Sequence, residues 1–503
     1  MRSILIVNIL TVLTMIAGFA SNILLAAIFG LTYQVDAYFA AVVIPTLVST
    51  LYVSYIGKTF LPIYSQLRED GSEKIDEFVS TIINVVGIGA ILIIVLLAVF
   101  STPILRLILP GFDQETLSSS REMLLIMSPT IFFVSINNFH GYLWQYEGKY
   151  YRVVVENFLL PTCIMISIFL GHEVIKEMSL STGYLAGRAI GFLLLLVGTR
   201  YTYKFVMNFS IPQVRSVFGS SSILLGTGFI ARMQPLIEKS IASTVGEGSV
   251  SALAMGNKLC NPIYQGATIG VRMLAFAKSS KLVAKGQLDR AGELTNIVTR
   301  LLLMVIVPIA TLLFVYASEI TEVIFVRGGF TAAMHGMVEV ALLGLAPTIV
   351  FLSISPIMSN LLFSLKNIKA QAWLGPISTL VYFLAAVQLS KDYGLLGVAL
   401  ALSISTCTRF LVLGFFAQKH VAVFNFKGLL FNLTLYSSAS WLIFYGAKTY
   451  IYTYNLLSIY ELIIVSTVGS VCYLLFLFVL KDKSLTLLWN MVVKRNKNVL
   501  DNI

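Results

Sequence analysis

The sequence predicts an all-α polytopic membrane protein with about fourteen transmembrane helices, and three observations support this prediction. First, 57% of the 503 residues are hydrophobic, only 12% are charged, and the mean hydropathy is +0.87. Soluble domains are about 25% charged, so this chain has too little charge to cover a water-soluble surface. Second, apolar runs of about 20 residues, each long enough to cross a hydrocarbon core of roughly 30 Å as a helix, recur from end to end. Third, runs such as residues 85–100 do not alternate in polarity, which excludes the strands of a closed barrel.

The predicted spans follow one another without room for a soluble domain between them. They begin near residues 4, 35, 78, 121, 154, 179, 219, 249, 293, 337, 371, 395, 429 and 458. The first apolar run, from Ile4 to Phe29, is too long for the 7–15-residue core of a signal peptide. We therefore expect it to be retained as the first span.

The distribution of lysine and arginine predicts the orientation of the spans. If the N-terminus is inside, the outer loops hold little basic charge beyond Lys176, Arg327 and Lys391, whereas the inner loops hold most of it. Because cytoplasmic loops are enriched in Lys and Arg, this bias predicts that both termini are cytoplasmic. The net charge of +11 is then mainly a topology signal, and with no basic soluble face no nucleic-acid partner is expected.

Two sets of glycines at similar intervals suggest an internal repeat. The first set is Gly18, Gly71 and Gly111, and the second is Gly228, Gly286 and Gly329. The repeat predicts two pseudo-symmetric six-helix lobes, residues 1–215 and 216–428, with a cavity between them, as in alternating-access transporters. Residues 429–480 would then hold two additional spans, and residues 481–503 a basic cytoplasmic tail.

Enzymatic motifs are missing from the sequence. The four histidines and four cysteines are scattered, and no HExxH, GxSxG or P-loop pattern occurs. We therefore predict a transporter rather than an enzyme, with no cofactor. Without a nucleotide site, transport is expected to be driven by an ion gradient, by the membrane potential or by the gradient of the substrate itself. A monovalent ion and the membrane potential are both candidates for the coupling.

Charged side chains inside the predicted spans are the candidate binding residues. A charge near the bilayer centre costs a few kcal/mol, so such residues usually face a cavity or pair with one another. Arg232 falls about midway along the seventh span, and Lys239 follows two helical turns later on the same face. Pro235, between them, is expected to kink the helix. The eighth span adds Lys258.

For other charged residues, a role in a cavity and a role in a structural pair or at the membrane interface are both open. These residues are Asp36, Lys58, Glu238 and Arg272. Arg232 and Lys258 lie deeper and are followed by prolines, which favours a cavity. A cationic cavity suits an anionic headgroup such as a phosphate or diphosphate.

Several stretches resemble the MurJ/MviN family, the lipid II flippases of the multidrug/oligosaccharidyl-lipid/polysaccharide exporter superfamily. They are "GFASNILLAAIFGLTYQVDAYFAAVVIPTL" at 18–47, "LILPGFD" at 107–113, "IASTVGEGSVSALAMGNKL" at 241–259 and "VIFVRGGFTA" at 323–332. The resemblance implies fourteen spans in two lobes, with the last two spans helping to form a groove for a lipid tail. It also implies a multi-pass protein of the bacterial inner membrane.

Departures from the family pattern lie in the first two spans. The family has an Arg-Asp pair and a further arginine in its first span, where this chain has Ser21, Asn22 and Ala27. Its paired arginines in the second span correspond to Ser49 and Thr50. The resemblance therefore implies that the charges of the cavity have moved.

The eighth span departs from the family as well. Asn257 and Lys258 stand where the family has Asp-Arg, and Asn261 stands where it has a glutamate. Asp36, which opens the second span, is kept. The predicted substrate-binding residues are Arg232, Lys258, Arg272, Asp36, Lys239, Asn257, Asn261 and Lys58.

The resemblance predicts a flippase that moves a polyprenyl-diphosphate-linked cell-wall precursor, lipid II, from the inner to the outer leaflet by alternating access. The expected partners are the lipid-linked saccharide and the bilayer, with cell-wall synthesis proteins as further candidates. One alternative is a flippase for another lipid-linked oligosaccharide. Others are a cation-coupled drug exporter, which the basic residues disfavour, and a scaffold for wall synthesis.

Overall fold

The computed structural model describes residues 2–199, 201–365, 368–451 and 458–480, and within them it contains α-helices and no β-strand. The predicted all-α membrane fold class is confirmed. Ten segments of these residues are long and apolar enough to cross a membrane. The segments predicted as spans seven, eight and thirteen are helical as well, although they are not among those ten.

Contacts between Cα atoms divide the chain into two compact units. The first unit is Met1–Ser251 with Arg327–Thr331, and the second is Ala252–Val326 with Ala332–Ile503. The lobes 1–215 and 216–428 were inferred from a sequence repeat and stay a prediction.

The first unit contains ten helices within the described residues. They are α1 (Arg2–Phe29), α2 (Tyr33–Ala41), α3 (Val43–Glu69), α4 (Ile75–Ile108), α5 (Gln114–Met127), α6 (Thr130–Tyr146), α7 (Tyr151–Gly171), α8 (Met178–Leu196), α9 (Pro212–Arg232) and α10 (Gln234–Ser243). Three predicted spans are each divided into two helices, with Pro45, Pro129 or Pro235 close to the break. Proline has no N–H to donate to the carbonyl four residues earlier, which explains why the helices break at these places.

Aromatic side chains form the core of the first unit. Phe60 of α3 stacks on Phe78 of α4 with ring centroids 5.6 Å apart, and it meets the edge of Phe139 of α6 at 5.2 Å. Val214 and Val217 at the start of α9 pack into the same cluster. The cluster therefore joins α3, α4, α6 and α9 through one apolar contact surface.

In the first unit, two loops that contain glycines of the predicted repeat donate hydrogen bonds to residues near the ends of helices. The Gly111 amide donates to the Ser243 hydroxyl at the end of α10 at 3.3 Å, and the Gly329 amide donates to the Ala27 carbonyl near the end of α1 at 2.7 Å. In the predicted repeat, α1 and α9–α10 are equivalent spans. The two loops thus make equivalent contacts. The loop after α4 contacts α10, and the loop after α13 contacts α1.

The second unit contains seven helices within the described residues, although the first three residues of α11 belong to the first unit. They are α11 (Ser249–Ala284), α12 (Leu288–Val315), α13 (Ala317–Phe325), α14 (Ala332–Ser364), α15 (Ile368–His420), α16 (Phe426–Ile451) and α17 (Ser458–Val479). Gly394 interrupts α15 with φ 54° and ψ −127°, a conformation that favours glycine. This break separates the predicted spans eleven and twelve.

Candidate functional site

A stripe of glycines on α8 packs against α7. A Cβ on Gly183 would lie 2.8 Å from the Ile164 Cα, and a Cβ on Gly187 would lie 2.9 Å from the Leu160 Cα. Any larger residue would force the two backbones apart, and small residues at four-residue spacing are typical of closely packed membrane helices. Gly191 continues the stripe and faces the Glu156 side chain. The stripe therefore determines how near α8 comes to α7.

This close packing brings Arg188 of α8 to Glu156 of α7. The Arg188 Nη1 donates to the Glu156 Oε1 at 3.0 Å, and the two side chains are only 17% and 7% exposed. Asn137 of α6 donates its Nδ2 to the same carboxylate oxygen at 3.3 Å. A buried charge is tolerated only when it is paired and hydrogen-bonded, so the three side chains form one interdependent cluster.

The cluster lies in the wall of a polar cavity of about 250 Å³ in the first unit. Its lining comes from α3, α6, α7 and α8: Ser49, Thr50, Val134, Asn137, Asn138, Gly141, Tyr142, Gln145, Val153, Glu156, Asn157, Arg188 and Leu195. Glu156 and Arg188 are the charged members of that lining, and their charges cancel. The cavity is thus polar but electrically neutral.

Sequence reasoning did not include Glu156, Asn137 or Arg188 among the candidate residues. The signal for the pair was present, because Glu156 and Arg188 are opposite charges in two successive predicted spans. The glycine spacing of "GYLAGRAIG" at 183–191 would have indicated that these spans are in close contact.

Asp36 joins the start of α2 to the start of α11. Its Oδ2 accepts from the Gly248 amide at 2.6 Å, and its Oδ1 accepts from the Ser251 amide at 2.7 Å. The residue is 1% exposed. Nearby, the Tyr33 amide donates to the Glu247 carboxylate at 3.0 Å. Both oxygens of Asp36 are thus engaged by backbone amides, and we call this set of contacts the Asp36 junction.

Lys239 lies on α10, where its Nζ contacts the Glu238 Oε1 at 3.0 Å and both residues are buried. The kink expected at Pro235 is confirmed as a break between α9 and α10 at Met233. Arg232 is the last residue of α9 and Lys239 lies on α10, so the two residues belong to two helices rather than to one continuous helix. The proline between them accounts for the break, and the shared face stays a prediction.

Three further predicted residues lie on α11 in the second unit. Asn257 and Asn261 are partly buried and, four residues apart, occupy one face, whereas Lys258 is exposed. The side chains of Lys58 and Arg272 lie outside the described residues. The structure therefore places Asp36 and Lys239 in the first unit, and Asn257, Lys258 and Asn261 on one helix of the second.

An apolar groove of about 700 Å³ lies between α12, α14 and α16 of the second unit. It is lined by Val307, Ala310, Thr311, Phe314, Pro347, Val350, Phe351, Leu433, Ser437, Ser438, Trp441 and Leu442. Nine of these twelve residues are apolar and none is charged. A surface of this kind suits a hydrocarbon chain rather than a polar headgroup.

Metal-binding groups are scarce in the part of the chain that the structure describes. No group of three or more His, Cys, Asp or Glu residues there is placed to hold a metal ion. The four cysteines, Cys163, Cys260, Cys407 and Cys472, are free thiols.

Comparison with known proteins identifies similar sequences. The family model described as "Lipid II flippase MurJ" matches residues 25–467. A probable lipid II flippase MurJ of Buchnera aphidicola subsp. Baizongia pistaciae is 24% identical over 440 residues, which is 82% of each chain. A protein of the same name from Bdellovibrio bacteriovorus is 24% identical over 407 residues, covering 78% of this chain and 77% of the relative.

Solved structures share the fold. A lipid II flippase MurJ in an inward closed conformation superposes with a TM-score of 0.81 at 22% identity, covering 94% of this chain and 98% of that one. An inward-facing multidrug transporter of the MATE family superposes with a TM-score of 0.66 at 12% identity, covering 82% and 95%. At these identities the likeness concerns the fold alone.

Proposed function

This chain belongs to the MurJ family of lipid II flippases, and we propose that it moves lipid II from the inner to the outer leaflet of the bacterial inner membrane in peptidoglycan synthesis. The observation that carries the proposal is the family match over residues 25–467, which is most of the chain. It is a multi-pass membrane protein and a transporter. Flipping another lipid-linked oligosaccharide or exporting a cationic drug is not favoured, because the sequence relatives described above are all named for lipid II.

The described surfaces suit the two chemically different parts of such a substrate. The apolar groove of the second unit is proposed to hold the prenyl tail, since its wall offers apolar contacts and no charge. Arg232, Lys258 and Arg272 are proposed to engage the diphosphate, because arginine and lysine bind phosphate oxygens through charge-assisted hydrogen bonds. Keeping tail and headgroup in separate environments avoids burying the charged headgroup in hydrocarbon.

Alternating access requires contacts that form in one state and break in another. The Asp36 junction is proposed to be such a contact, because it joins α2 to the start of α11 through two hydrogen bonds to one carboxylate. We place the junction at the outer face, on the expectation that both termini are cytoplasmic. A monovalent ion gradient or the membrane potential acting on the cationic residues is proposed to bias the cycle.

The test is a rescue experiment in cells depleted of their own lipid II flippase. The full chain is expressed, its presence in the membrane is verified, and lipid II at the outer face is measured by its accessibility to an added enzyme or probe. Restored accessibility supports the proposal. If the protein reaches the membrane at normal levels and lipid II stays inside, the proposal is wrong.

A further inference from the structure

We propose that the polar cavity between α3, α6, α7 and α8 binds the neutral sugar portion of the headgroup rather than its diphosphate. This inference rests on the proposed function, since it assigns one part of a saccharide-bearing lipid to one cavity. The charge balance of that cavity, its unsatisfied polar atoms and its lining support the inference.

The charge balance disfavours a phosphate in this cavity. The Arg188 guanidinium is already paired with Glu156 at 3.0 Å, and these are the charged side chains of the described lining. A diphosphate entering the cavity would meet a carboxylate as well as a guanidinium, so it would gain little net attraction. Ser49 and Thr50, at the positions of the family's paired arginines, add hydroxyl groups to the wall and no charge.

The hydrogen bonding of the cluster leaves one acceptor and one donor to be satisfied. A carboxylate only accepts hydrogen bonds, so Asn137 turns its amide nitrogen toward Glu156. The Asn137 Oδ1 then has no partner among the described residues, although the residue is only 5% exposed. The Arg188 Nε likewise has no partner there. Buried polar groups are almost always hydrogen-bonded in proteins. Neither atom is accessible in this state, so a ligand that both donates and accepts would satisfy them once the two side chains turn toward the cavity.

A sugar hydroxyl meets that requirement, because each hydroxyl group donates one hydrogen bond and accepts others. The rest of the lining offers the same mixed chemistry through Asn138, Gln145 and Asn157, and Tyr142 adds an aromatic surface. The cavity volume of about 250 Å³ corresponds to about eight water molecules, which is room for one sugar ring. Phosphate oxygens only accept, so they would leave the Asn137 Oδ1 unsatisfied.

The test measures binding of a free sugar to the full chain in lipid nanodiscs. N-acetylglucosamine, a neutral amino sugar without phosphate or lipid, is observed by saturation-transfer NMR, with inorganic diphosphate as the competitor. Two variants probe the cavity: Asn137→Leu removes the buried acceptor, and Asn157→Trp places a large side chain at an exposed part of the lining. Asn432→Leu is the matched control, since Asn432 is also a buried asparagine of a helix but lies on α16 outside this cavity.

We expect the wild type and Asn432→Leu to bind the sugar, and each cavity variant to bind it at least tenfold more weakly, without competition from diphosphate. Loss of folding in Asn137→Leu would leave Asn157→Trp to decide the question. The inference is overturned if wild type does not bind the sugar, if the folded cavity variants bind it equally well, or if diphosphate displaces it.

The same preparations, reconstituted in liposomes, are assayed for lipid II flipping, which separates the two proposals. Flipping without sugar binding overturns the sugar site and leaves the proposed function standing. Sugar binding that depends on Asn137 but without lipid II flipping overturns the proposed function and retains the cavity as a sugar site.

Discussion

Arg188 and Glu156 form an ion pair of 3.0 Å that depends on the glycine stripe between their helices. Gly191, one turn beyond Arg188 on α8, faces the Glu156 side chain, so a side chain at this position would collide with Glu156. The pair is therefore both a packing element of α7 and α8 and part of the wall of the polar cavity.

Removing one partner of the pair is expected to destabilise the protein strongly. Glu156→Ala leaves the Arg188 charge buried without its carboxylate, which typically costs about 3–5 kcal/mol. The control is Glu147→Ala, because the partner of Glu147, Lys149, is 37% exposed and exposed pairs contribute about 0–1 kcal/mol. The free energy of unfolding is measured by denaturation in mixed micelles. Equal losses in the two variants would contradict the structural role of the buried pair.

Alanine at Gly187 is expected to separate α8 from α7. The added methyl group would lie 2.9 Å from the Leu160 Cα, and overpacking of this kind costs about 1–3 kcal/mol. Gly18→Ala is the matched control on α1, where nothing lies within 4 Å of the added Cβ and alanine gains helix propensity. The midpoint of thermal unfolding is compared for the two variants. If Gly187→Ala is as stable as Gly18→Ala, the close contact of the helices is not needed.

Neutralising Asp36 is expected to loosen the Asp36 junction. Asp36→Asn offers one acceptor oxygen where the carboxylate engages two amides, those of Gly248 and Ser251. Hydrogen bonds to a charged group contribute about 1.5–3 kcal/mol, so we expect amide hydrogen exchange at these two residues to rise at least tenfold. Asp113→Asn is the control, since asparagine caps the start of α5 as well as aspartate does. Unchanged exchange around Gly248 would show that the junction does not depend on the carboxylate.

Removing the cationic side chains proposed to bind the diphosphate is expected to slow flipping. Arg232→Ala and Lys258→Ala each remove a charge-assisted contact of about 1.5–3 kcal/mol, which corresponds to roughly a tenfold or greater loss of rate. Lys419→Ala, at the exposed end of α15, is the control. Flipping of lipid II is measured in proteoliposomes that contain equal amounts of folded protein. Normal rates in both variants would remove these two residues from the binding site.

Filling the apolar groove is expected to impair transport in a way that depends on tail length. Ser438→Trp places an indole in the groove from an exposed position on α16, so it competes with a long prenyl chain at little cost to folding. We expect flipping of long-chain lipid II to fall several-fold and that of a short-chain analogue to fall less. Ser470→Trp, exposed on α17 and outside the groove lining, serves as the control. Equal losses for both tail lengths would argue against a tail site in this groove.

The sequence by itself determined the all-α membrane fold and several helix breaks. Each apolar run lowers its own free energy by leaving water. Inside the membrane its backbone must satisfy its hydrogen bonds within the helix, so the formation of membrane helices depends on local composition alone. The same holds for the breaks at Pro235 and Gly394, because the chemistry of one residue decides them.

Only the tertiary structure decided which polar residues meet. Glu156 and Arg188 are 32 residues apart, and Asp36 lies 212 and 215 residues from the amides that it accepts. Sequence reasoning placed charges in the spans but left open which of them have protein partners, as with Lys239, which pairs with Glu238. The physical reason is that a partner depends on the rotation and closeness of two packed helices. Contacts such as the glycine stripe of α8 determine that geometry, whereas the hydropathy of either helix does not.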